Sequence, residues 1–133
     1  MDPILYIIMR SDISDMNPGK LAAQAAHVAS DFEMWVKFIE SQDGYGELLG
    51  EIHKWREGAS TCGTTICLSA TREEIQDTVK KVCFSREFVD PTYPWENWYG
   101  ESFLSSEMTG AWVFVCEENS EDLDVTKKFA LHY

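Results

Sequence analysis

The chain has 133 residues, 44% of them hydrophobic and 26% charged, and its 11 basic and 23 acidic side chains give a formal net charge of −12. That length suits one compact domain, residues 1–133, and the composition excludes a disordered chain. The acidic balance argues against a long phosphate backbone as partner, because such binding draws on neutralised phosphates, but it leaves a small nucleotide open.

Ile4–Arg10 (ILYIIMR) is a near-continuous apolar run and predicts a strand covered on both faces. Its six apolar residues in a row are too few to span a bilayer, and an acid at position 2 does not suit a secretory leader. A cytoplasmic protein with no membrane partner is expected (in the host cytoplasm if viral). After the loop SDISDM, Asn17 suits a helix N-cap and Pro18 the first helical position. Leu21, Ala25, Val28, Phe32 and Trp35 then recur as one apolar helix face.

Glycines bracket a shorter helix carrying Leu48, Leu49, Ile52 and Trp55. Thr64–Ala70 (TTICLSA) reads as a second buried strand, and Thr71–Glu74 (TREE) matches a capping box opening a helix with Ile75, Val79 and Val82 inward. Arg86–Asp90 is a short third strand and Ala111–Cys116 a fourth, separated by a long loop from Pro91 to Gly110. Ser120 caps a last helix that packs through Leu123, Phe129 and Leu131. This alternation predicts an α/β three-layer sandwich on a four-stranded mixed sheet.

The four cysteines (Cys62, Cys67, Cys83, Cys116) fall at irregular spacings without a CxxC pair or a Cys/His zinc pattern. Reduced, mostly buried thiols are expected, with no disulfide, metal or cofactor. His53 and His132 have no chemical company and read as surface or packing residues.

Lys20, Gln24, His27 and Asp31 share a second stripe of the first helix, beside the apolar one. The plain reading is a solvated polar face. Against it, Lys20 lies in the first turn, where the macrodipole disfavours a cation and free N–H groups favour an anion. The preceding Asn17-Pro18-Gly19 brings backbone close to a ligand, which makes a seat for a phosphate or a developing oxyanion.

The segment MRSDISDMNPGKLAAQAAHVA resembles the signature of type 2 peptidyl-tRNA hydrolases, in which a strand ending in Arg-x-Asp-Leu leads to Met-x-x-Gly-Lys-x-Ala-Ala-Gln-x-x-His. Here these parts are Arg10–Ile13, with Ile13 in the leucine place, and Met16–His27; the tail DLDVTKKFALHY resembles that family's last helix. The resemblance implies the family's four-stranded mixed sheet and a lysine, an aspartate and a threonine that cleave the ester between peptide and tRNA. It places them at Lys20, Asp90 and Thr109. The family's glycine-arginine-threonine after the aspartate is replaced by Pro91, Thr92 and Tyr93, and this DPTYP version resembles phage-encoded relatives. The exchange removes an arginine and surrounds Asp90 with aromatic residues. They either cover a sheet edge or stack on a ring.

Two functions from different classes follow. One is a phage-type protein that binds a small nucleotide-derived molecule, for example a cyclic nucleotide or an ADP-ribose-type immune signal, and carries groups to cleave it. The other is a peptidyl-tRNA hydrolase acting at the 3′ end of tRNA. A third reading is an acidic interaction protein on a persisting fold, and a homodimer is an expected partner. The candidate catalytic residues are Lys20, Asp90, His27 and Thr109. The candidate ligand-binding residues are Asn17, Gly19, Gln24, Thr92, Tyr93, Trp95 and Trp98.

Overall fold

The computed structural model describes residues 1–59, 63–96 and 99–131. Cys62, Trp98 and His132, all singled out above, lie outside the described residues. The elements run β1 (Ile4–Arg10), α1 (Pro18–Glu40), α2 (Gly46–Glu57), β2 (Thr65–Ala70), α3 (Arg72–Lys81), β3 (Ser85–Glu96), β4 (Ser102–Val115), a 3₁₀ turn (Glu117–Asp122), α4 (Leu123–Thr126) and β5 (Ala130–Leu131). The mixed sheet has the order β3-β4-β1-β2-β5. β1 pairs parallel with β2 and antiparallel with β4.

The helix starts follow the sequence rules. Asn17 caps α1 by accepting the Lys20 N–H at 2.9 Å, with Pro18 just inside the first turn. Thr71 and Glu74 form a reciprocal capping box on α3.

Alternation along the strands divides the core between two faces. Leu5, Ile7 and Met9 of β1 and Trp112 and Phe114 of β4 pack under α1 and α2, against Val28, Phe32, Val36, Ile52 and Trp55. Phe32 is fully buried, with ring centroids 5.0 Å from Trp112 and 5.5 Å from Trp55, both edge-on. Each such aromatic pair adds about 0.5–1.5 kcal/mol beyond the area it buries. Tyr6, Ile8, Ala111, Val113 and Val115 face the other way, against Ile75 and Val82, with Leu123, Val125 and Phe129 alongside. The three-layer α/β arrangement is therefore present.

The sheet has five strands rather than four, and two segments differ from expectation. The stretch from Pro91 to Gly110 is no open loop: β3 continues to Glu96 and β4 begins at Ser102, so together they form a long hairpin. Pro91 and Pro94 lack the N–H of an ordinary strand residue, which β3 tolerates because it is an edge strand. The helix expected after Ser120 is a 3₁₀ turn and a single turn of α4, followed by β5 paired with β2. Asn119, not Ser120, organises that turn, accepting the Cys116 N–H at 2.8 Å and donating to the Phe114 carbonyl at 2.9 Å. Leu123 and Phe129 pack as expected, whereas Leu131 lies in β5 and is 53% exposed. Cys67, Cys83 and Cys116 are free thiols; Cys116 is buried and Cys67 partly so, but Cys83 is exposed.

Candidate functional site: a polar seam between α1 and the β3–β4 hairpin

Two irregularities in the hairpin create the site. Phe88 pairs with Gly110 but Val89 with Met108, so Thr109 is an extra residue on β4. Asp90 pairs with Glu107 and Tyr93 with Ser105, so β3 carries an extra residue at Pro91–Thr92. Bulges re-aim side chains. Here they turn Thr109, Asp90 and Tyr93 towards the stripe of α1 that begins at Lys20.

That stripe is consequently a seam, not a solvated face. The Gln24 side chain, 4% exposed, donates through Nε2 to Asp90 Oδ2 at 2.8 Å and accepts through Oε1 from Thr109 Oγ1 at 2.8 Å. One turn earlier, Lys20 Nζ donates to Asp15 Oδ2 at 3.1 Å and to the Pro94 carbonyl at 2.7 Å, and stands 5.4 Å from the Tyr93 ring centre. Further along, the exposed His27 ring lies 5.9 Å from Phe88. Asp31 closes the seam, accepting from Trp112 Nε1 at 3.0 Å with Arg86 Nε at 3.4 Å.

Asp90 is held as an anion. Burial pushes its carboxyl up, but the Thr92 N–H at 2.9 Å, the Gln24 amide and nearby His27 pull it down, and the balance lies below the usual carboxylate value. Tyr93 is fully buried, and its Oη donates to Asp15 Oδ1 at 3.1 Å. Burial and that hydrogen bond push its phenol far above the ordinary value, so it stays protonated.

Not every candidate sits where a ligand can touch it. Lys20 and Asp15 are half-buried at the rim, while His27, Thr92 and Gly19 are exposed. Thr109 has no exposed surface and bonds Gln24, so it positions the amide and does not meet a bound molecule. The buried Tyr93 ring offers no free face for stacking; it forms a wall, with the half-buried Trp95 edge-on at 5.1 Å. The Asn17 side chain serves the helix as its cap, so part of the expected anion seat is filled from within.

Sequence reasoning passed over Asp15, which binds both Lys20 and Tyr93. Its signal was the pair of aspartates in SDISDM. The other, Asp12, accepts from Arg10 Nε at 2.8 Å and from the first helical N–H of α3 at 3.3 Å.

Chemically, the seam sets the Lys20 ammonium and the exposed His27 imidazole of α1 along the same side as the ionised Asp90 carboxylate of β3, which Gln24 and Thr92 hold by donating to it. An ammonium has three N–H donors, and Asp15 and Pro94 take two of those of Lys20. The chain matches no protein-family model, and no curated protein matches it significantly.

Proposed function

We propose that the protein binds a small nucleotide-derived molecule at the Lys20 end of this seam and carries the groups to hydrolyse it. The observation that supports this reading is the half-buried Lys20 over the Tyr93 ring, with Asp15 and the Pro94 carbonyl taking two of its three N–H donors among the described residues, one turn of α1 before the Gln24 that holds the anionic Asp90. The ammonium meets a phosphate oxygen, or the oxyanion that develops when water adds to phosphorus or carbon. Asp90 orients that water or the ammonium, and His27 serves as the proton donor to the leaving oxygen. Thr109 and Gln24 keep Asp90 in place.

A second reading, peptidyl-tRNA ester hydrolysis, is favoured by one observation. Lys20, Asp90 and Thr109, where the resemblance places that family's lysine, aspartate and threonine, all project into one seam. The acidic surface weighs against a tRNA-sized partner.

A thermal-shift screen with cyclic dinucleotides, ADP-ribose isomers and 3′-aminoacyl-adenosine, run beside a peptidyl-tRNA deacylation assay, separates the two. Stabilisation by a small nucleotide without deacylation is the expected result. Efficient deacylation with no response to small nucleotides replaces the first reading by the second.

A further inference from the structure

A cavity of about 760 Å³ opens on the Leu21–Ala25 side of α1, next to the polar seam and separate from it. Its floor is Cys67 and Ser69 of β2, and Ala22 and Ala25 give α1 a flat wall. The volume falls within the range of about 300–1,000 Å³ that pockets for small organic molecules occupy.

Its position in the fold is also that of a ligand site. β1 leads into α1 on one face of the sheet, and its parallel neighbour β2 leads into α3 on the other. The carboxyl ends of two such strands form a topological switch point, the crevice where open α/β sheets take up ligands. Arg10 and Ser11 at the end of β1, and Ser69 near the end of β2, line this cavity.

The lining fixes the chemistry of an occupant. Among the described residues Arg10 is the only charged one, and its guanidinium is engaged by Asp12, Glu107 and the Met108 carbonyl. Burial pushes the Cys67 thiol up and keeps it neutral. The cavity therefore suits an uncharged, largely apolar body with a polar edge, for which Ser11, Ser69 and the Asn17 amide supply hydrogen-bonding groups.

Cavity and seam share a wall. Met16 lines the cavity while its Sδ lies 3.7 Å from Tyr93 Oη, and Asn17 lines it while capping the Lys20 N–H. We propose that the cavity is the base subsite of the nucleotide site, taking a neutral planar nitrogen heterocycle between α1 and β2 and leaving the phosphate end at the start of α1 beside Lys20. This assignment rests on the nucleotide reading above.

Calorimetric titrations of the full chain with adenosine, guanosine, uridine, their 5′-monophosphates, ribose 5-phosphate and an N-acetyl-leucine ester test it. At least one nucleoside binds on its own, and ribose 5-phosphate binds at least tenfold more weakly than the matching monophosphate. Ser69→Trp and the milder Ala25→Leu, which fill the cavity, each weaken the nucleoside about tenfold or more, and Lys20→Ala removes only the gain from the phosphate. If ribose 5-phosphate equals the monophosphates, or both filling variants bind nucleotides as the wild type does, the base subsite is overturned while the nucleotide reading survives. Nucleoside binding with no gain from phosphate keeps the subsite and removes the role of Lys20. Binding of the ester in place of nucleosides overturns the subsite as a base site, and silence from every probe overturns both proposals. The ribose 5-phosphate comparison uses wild-type protein alone, so it stands even if a filling variant fails to fold.

Discussion

Gln24 on α1 donates its side-chain amide to Asp90 on the edge strand β3 at 2.8 Å, and its carbonyl oxygen holds Thr109 of β4 at the same distance. A single amide thus ties one helix to both strands of the hairpin. Gln24→Leu leaves the buried Asp90 and Thr109 groups without that partner. Leaving a buried polar group unpaired costs about 1–3 kcal/mol. Urea unfolding should show a loss of that order; a loss below about 0.5 kcal/mol, the scale of surface substitutions, would contradict the seam.

The Thr92 N–H, with Gln24 and His27, also gives Asp90 a pH dependence. The folded Asp90 carboxyl lies below its ordinary value, so the unfolded chain binds the proton more readily than the folded one. Its contribution to stability is complete above about pH 4, the ordinary aspartate value, and is lost as pH falls through the folded one. Thermal melts should therefore show wild type above Asp90→Asn at pH 6, with the gap narrowing towards pH 3. A gap that stays constant would mean the carboxylate is not held as described.

Much of this was legible in the residues, and the gaps have physical causes. Asn17, Pro18 and the Thr71/Glu74 pair act locally, and the caps fall where those side chains can reach their own backbone. The stripe Lys20–Gln24–His27–Asp31 was visible as a face, but what covers it depends on strands about 55–90 residues away. The hairpin was hidden because Pro91 and Pro94 break the strand signal and two bulges break the alternation. β5 is only two residues long, too short to leave a periodic trace. The cavity joins residues of α1, β2 and β5, so no single motif announces it.

Gly110 lets β4 approach the central strand closely. A Cβ there would stand 2.7 Å from the Ile8 carbonyl oxygen and 2.9 Å from Met9 Sδ, and the former is backbone of the central strand. Gly110→Ala forces β4 away from β1, an overpacking cost of about 1–3 kcal/mol. Chemical denaturation checks it, and an unchanged midpoint would show that the two strands have room to part.

Glu118 carries the opposite sign to Asp90. Partial desolvation of this exposed side chain, its hydrogen bond with Glu47 and the nearby Glu47 and Glu51 charges hold its carboxyl above the ordinary value, so its charged form is disfavoured in the folded chain. The penalty is present above that raised value and absent below the ordinary glutamate value of about 4.3. Glu118→Gln should melt above wild type at pH 7, and the advantage should vanish by about pH 4. A variant that melts lower at pH 7 would reverse the assignment.

The central claim is that Lys20 receives the phosphate of a small nucleotide. Phosphorus-31 NMR of ADP-ribose and of a cyclic dinucleotide, titrated with wild type and with Lys20→Ala, observes that group itself. The expected result is a saturable shift of the phosphate resonance with wild type that is abolished or weakened at least tenfold in the variant. Identical titration curves for the two proteins, or no shift with either, would contradict it.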